Sequence, residues 1–133
     1  MKEKSEDFLW NERGNNLVRR FEKMRKEGTF RFMDVSDYEE VINTYMDKGQ
    51  LEKAGQTIKL ALHQHPGALT IRLRKADLLV SLEKYEKALE LLNLLAHLDS
   101  QNYEVFLLRG LALIHLGRKN EAIRDFDTSL SLG

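Results

Sequence analysis

Shifted by 34 residues, this sequence falls on itself without insertion or deletion, in blocks that begin at Val35, Leu69 and Tyr103. Ala54, Ala88 and Ala122 coincide, as do Tyr45, Leu79 and Leu113, and Ile58, Leu92 and Phe126. Tyr38 and Phe106 share a column that Arg72 interrupts. Ala76 and Gly110 share one that Ile42 interrupts, and the glycines Gly49 and Gly117 share one that Glu83 interrupts. No other feature constrains the fold as strongly. A short recurring unit cannot enclose a core alone, so each unit must bury its apolar face against its neighbours.

Each block reads as helix, turn, helix. One proline and eight glycines punctuate a chain rich in Leu, Ala, Glu and Lys, which favours helix throughout. In "SDYEEVINTYMDKG", Tyr38, Val41, Ile42, Tyr45 and Met46 recur at helical spacing, Ser36 with Glu39 forms a capping-box pattern, and Gly49 supplies a stop. "LEKAGQTIKLALHQHPG" follows, with Leu51, Ala54, Ile58, Ala61 and Leu62 on one stripe until Pro66 ends it. Small residues at the alanine column let the two helices of a block cross closely.

A helix-turn-helix period of this length, with small residues at the crossing and a large apolar residue four places later, resembles the tetratricopeptide repeat family. "GLALIHLGRKNEAIRDF" carries the resemblance best, through Gly110, Leu113, Gly117, Ala122 and Phe126. The resemblance implies an all-α helical-repeat solenoid of three tandem units, residues 35–68, 69–102 and 103–133. Lys75 and Arg109 depart from it in a column that is usually leucine, and Ser100 stands where the preceding block has Pro66.

Residues 1–34 lie outside the repeat, because the same phase puts Arg20 in the alanine column and Glu27 in the next small column. "NNLVRRFEKMRKEG" nevertheless reads as an amphipathic helix with Leu17, Phe21 and Met24 on one stripe and Gly28 as its stop, expected to cap the first unit. Thr29 to Met33 alternates, with Phe30 and Phe32 on one side, as a short extended link. The basic run Arg19, Arg20, Lys23, Arg25 and Lys26 is a solvated face or a contact for an acidic partner. Phe8, Leu9 and Trp10, in a charged tail, are expected to pack on the cap helix or to occupy a groove.

Catalytic chemistry is not indicated. The absence of cysteine removes disulfides, thiolate metal sites and cysteine nucleophiles. No P-loop, dinucleotide glycine pattern or nucleophile elbow occurs, so a non-enzymatic protein with no cofactor is expected. His63 and His65 are two residues apart on a helix and point to different sides, which opposes a shared metal ion. Neither an apolar leader nor a membrane-length apolar run is present, and a cytoplasmic protein is expected. Lysines plus arginines equal aspartates plus glutamates at 21 each, which opposes a general field for nucleic acid or membrane.

The family resemblance implies that the first helix of each unit lines a concave groove for a peptide or helix of a partner. The corresponding positions are Glu39, Asn43 and Met46; then Leu73, Asp77 and Val80; then Leu107, Leu111, Ile114 and His115. Leu73, Val80, Leu107, Leu111 and Ile114 form an apolar strip suited to an apolar helix face or peptide side chains. A subtype of the family grips the terminal carboxylate of heat-shock chaperones. Here Asn43 matches one clamp position, but Glu39 and Glu104 stand where lysines are needed and Leu108 replaces the arginine, so that ligand is not expected.

A scaffold or adaptor that binds a protein or peptide is the leading reading. A self-associating unit, joined through the groove or the last helix, is the second. A regulator touching nucleic acid through the basic run is the third, and the neutral net charge opposes it. Gly133 falls where a turn into another unit would begin. The stripe of Ala122, Phe126 and Leu130 is therefore expected to be covered by more of a longer repeat protein, or by another copy.

Overall fold

The computed structural model describes the backbone of residues 2–29 and 31–133, and the side chains of residues 12–29 and 31–133. Among the described residues there are seven helices and no strand: α1 Lys2–Glu27, α2 Val35–Asp47, α3 Leu51–Gln64, α4 Leu69–Ser81, α5 Tyr85–Leu98, α6 Tyr103–His115 and α7 Lys119–Leu132. The repeat is obeyed to the residue. α2, α4 and α6 begin at 35, 69 and 103, and α3, α5 and α7 at 51, 85 and 119.

Two compact units divide the chain, Met1–Ile71 and Arg72–Gly133. In the first, α1 packs on α2 and α2 on α3. Phe21 of α1 is 1% exposed and meets the fully buried Tyr38 edge-on, with ring centroids 6.4 Å apart. Gly14, absent from the repeat pattern, permits this approach: a Cβ there would stand 2.5 Å from Thr44 Oγ1. The Tyr45 hydroxyl donates to Glu22 Oε1 at 2.9 Å, and Lys53 of α3 reaches the same oxygen at 3.2 Å. The Tyr45 bond holds the Glu22 carboxyl below its ordinary pKa against the opposing effect of burial, with Lys53 assisting. The expected cap helix is therefore present, and its backbone is helical back to Lys2. The side chains of Phe8, Leu9, Trp10 and Phe30 lie outside the described residues.

The link into α2 is fastened by side chains from the end of α3. Met33 N–H donates to Gln64 Oε1 at 3.1 Å, and the Met33 carbonyl accepts from His65 Nε2 at 2.6 Å. The His65 ring lies 4.7 Å from that of Phe32 and 6.0 Å from that of Tyr38, centroid to centroid. The capping box expected from Ser36 and Glu39 does not form. Helix α2 starts one residue before Ser36, with Asp34 as an extended N-cap that makes no side-chain cap bond. Tyr38 N–H bonds to the Asp34 carbonyl, so the position that buries Tyr38 also fixes the first turn.

In the second unit α5 packs on α6 and α6 on α7. Ala88 and Ala122 are fully buried, and a Cβ at Gly110 would stand 2.5 Å from the Phe126 ring. Ala54 of the first unit is likewise fully buried. The alanine column thus marks the helix crossings. Substituting Ala88→Leu is expected to destabilise the chain by about 1–3 kcal/mol through overpacking, read as a lower melting temperature.

The three intra-repeat turns share one geometry. Gln50 N–H bonds to Tyr45 O, Lys84 N–H to Leu79 O, and Arg118 N–H to Leu113 O, each closing the end of the first helix. The residue before each donor takes positive φ: 71° at Gly49, 60° at Glu83 and 78° at Gly117. Nothing lies within 4 Å of a Cβ built at Gly49 or Gly117, so conformation and not space selects glycine there. Glu83 bears the steric cost that its glycine counterparts avoid. Glu83→Gly is expected to stabilise the chain by roughly 1 kcal/mol, measured by chemical denaturation, with the m-value unchanged.

Candidate functional site

Helix α6, "YEVFLLRGLALIH", is apolar nearly all round, a composition that suits burial on every side. One face is buried, through Val105, Leu108, Ala112 and Leu113. The opposite face is open: Leu107 is 39% and Ile114 41% exposed, with Leu111 half-buried between them at helical spacing. His115 closes this row. Its ring stacks on Tyr85 of α5 at 4.4 Å with an 11° interplanar angle, and its Nδ1–H donates to the Leu111 carbonyl at 2.9 Å.

Helix α4 meets α6 through an ion pair. Arg74 Nη2 lies 2.5 Å from Glu104 Oε2, and Arg74 Nη1 lies 3.5 Å from Asp77 Oδ2. One guanidinium thus serves two carboxylates. Val80 and Asp77 are half-buried on α4, whereas Leu73 is only 4% exposed and belongs to the core beneath them. Asn43 and Met46 are half-buried on α2 in the first unit. The second unit therefore brings together Asp77, Val80, Leu107, Leu111, Ile114 and His115 near the surface. The family resemblance implied these positions, but not the depth at which Leu73 sits.

Behind α6, Arg109 occupies the column that usually holds leucine. Its guanidinium grips Asp125 of α7 with two bonds, Nε to Oδ2 at 2.8 Å and Nη2 to Oδ1 at 2.9 Å. Asp125 is 6% exposed, and the hydrogen bonds it accepts hold the Arg109 pKa above its ordinary value, outweighing burial. The Phe106 ring lies beneath the guanidinium at 5.3 Å. Both residues were visible in sequence, but 16 positions separate them and no local pattern joins them. Among the described residues, no group of three or more His, Cys, Asp or Glu is placed to hold a metal ion, and no helix is long and apolar enough to cross a membrane.

Repeated helix pairs, glycine-type turns and an open apolar face on a first helix define an all-α helical-repeat protein. Residues 45–102 and 103–132 match two family models of the tetratricopeptide repeat, and the chain belongs to that family. No curated protein sequence matches it. Among solved structures it is similar to the second TPR of Spaghetti (RPAP3) bound to the HSP90 peptide SRMEEVD, at 26% identity and a TM-score of 0.65, covering 72% of this chain and 89% of that one. It is similar in fold to MamA AMB-1 at 24% identity and a TM-score of 0.64, covering 94% and 77% of the two chains. A MamA fragment from Desulfovibrio magneticus RS-1 has 15% identity and a TM-score of 0.67, covering 92% and 75%.

The Arg109 and Asp125 pair gives a direct energetic test. Asp125→Ala is expected to cost about 1–3 kcal/mol, because it strands a partly buried guanidinium. Adding Arg109→Leu, the family's usual residue, is expected to recover most of that loss, measured as the coupling term of a double-mutant cycle in urea.

Proposed function

We propose that this protein is a non-enzymatic interaction module, a scaffold or adaptor, that captures a peptide or helix of a partner protein on the open face of α6. The observation that carries this reading is the row Leu107, Leu111 and Ile114, left exposed on a helix otherwise apolar enough for a core. Such a row accepts the apolar stripe of an amphipathic helix or successive side chains of a peptide. Val80 and Asp77 extend the surface on α4 and His115 borders its end; Asn43 and Met46 are the corresponding positions of α2 in the first unit, half-buried there. The solved RPAP3 module was bound to a chaperone peptide. Against a terminal-carboxylate ligand here stand Glu104, paired with Arg74, and Leu108, buried at 8% exposure.

Affinity capture with the whole chain tests this reading. Leu107→Asp with Leu111→Asp is expected to abolish capture of partners that the unaltered chain retains, while helicity stays near normal by circular dichroism. Undiminished capture by the double variant moves the site off α6.

A second reading, self-association, is favoured by α7, where Leu130 is 80% and Ile123 44% exposed. A mass that rises with concentration, and falls back on Leu130→Lys, supports that use of the surface.

A further inference from the structure

The first unit carries a second surface with different chemistry, independent of the α6 face. Residues 16–33 hold six cations and two acids, a net +4 within a chain of zero net charge. Elsewhere Arg13, Lys53, Arg74, Arg109 and Arg118 each pair with a carboxylate. Along the outer side of α1, Arg20, Lys23 and Lys26 are exposed at helical spacing, and Arg31 follows in the link. Among the described residues, none of these four makes an ion pair. Unneutralised cations this close together repel one another, a cost that an acidic ligand relieves.

Beside Arg20 and Arg31 a narrow cleft opens between α1 and the link, with Leu17, Met24, Phe32 and Met33 in its walls. Phe32 is 68% exposed even though the His65 ring lies against it, tilted by 55°. In this mixed polar and apolar cleft, exposed Phe32 lies with Met24 beside Arg20 and Arg31, which offers an apolar contact and cationic groups in one place. Asp34 and Asp37 also line the cleft, at its α2 end, and repel acids there. The charge on a ligand is thereby confined to the α1 side.

We propose that this surface docks an acidic protein segment bearing one large apolar side chain. Its carboxylates bond to Arg20, Lys23 and Arg31, and its apolar side chain enters the cleft against Met24 and Phe32. A nucleic acid backbone satisfies the cations but leaves the cleft unfilled. An anionic lipid surface is offered one well-exposed apolar side chain, Phe32, and no apolar stripe, since Leu17, Met24 and Met33 are half-buried.

The probe is a synthetic Glu/Asp-rich peptide with a central Phe and an amidated C-terminus, titrated into the whole chain by fluorescence anisotropy. The expected result is binding that weakens about tenfold between roughly 50 and roughly 300 mM salt. Arg20→Glu with Lys23→Glu is expected to weaken it at least about tenfold, and Phe32→Ala severalfold, with helicity retained. Arg31→Glu provides a second charge reversal outside the helix. Leu107→Asp with Leu111→Asp leaves the titration unaltered, which separates this surface from the α6 face. The proposal is overturned if the peptide does not bind, or if its affinity ignores the charge reversals. Tighter binding of single-stranded RNA, or of phosphatidylserine vesicles, than of the peptide also overturns it in favour of that partner class.

Discussion

Two helices joined by three residues can approach only as closely as their smallest facing side chains permit. In this chain that limit is set by alanine and glycine. Ala54, Ala88 and Ala122 are each fully buried, and Gly110 presses against the Phe126 ring where a methyl group would not fit. Interior packing tolerates little error, so a small residue at each crossing fixes which faces of the helices meet. Those faces then determine which residues remain outside. The exposure of Leu107 and Ile114 follows from the burial of Val105, Leu108 and Ala112 on the other side of α6. The candidate interaction face is thus a consequence of the crossing, set by residues that do not belong to it.

The turn is the second half of the same device. A helix that ends with a left-handed residue reverses direction within three positions and satisfies its last carbonyls as it does so. Gly49 and Gly117 adopt this conformation with little steric cost, whereas Glu83 adopts it against its own Cβ. The middle turn keeps the geometry of its neighbours despite the substitution, through the same Lys84 to Leu79 bond. Packing on both flanking helices therefore outweighs local preference, because a residue in the wrong backbone region costs about 1–2 kcal/mol while a buried helix pair contributes several times that.

Much of this was legible in the sequence because periodicity is itself a physical signal. The six repeat helices begin at the residues the 34-residue phase requires, and Gly28 ends α1 as its composition indicates. Local signals were weaker guides. The Ser36 and Glu39 pattern satisfies a capping rule, yet the burial of Tyr38 sets the helix start elsewhere. Gly14 carries no mark of its role, since Thr44, the group it makes room for, lies on another helix. Of the expected groove positions, Leu107, Leu111 and Ile114 lie along one side of α6 near the surface, whereas Leu73 of α4 is core. The links from Arg74 to Glu104 and from Arg109 to Asp125 depend on rotamers across helices, which spacing along the chain does not encode.

Those two arginines show how polar residues enter a repeat without disrupting it. Arg109 replaces a leucine on the packed side of α6, and its charge is tolerable there because Asp125 meets it with two parallel bonds and Phe106 covers its plane. A lysine could not make the same forked contact, so the site selects arginine in particular. Arg74 works on the other side, where it binds Glu104 and Asp77 at the edge of the open face. In the first unit, Arg20, Lys23 and Lys26 of α1 and Arg31 of the link are exposed cations without an ion pair among the described residues. The two proposed surfaces, apolar on α6 and cationic on α1, therefore differ in chemistry within one chain of zero net charge.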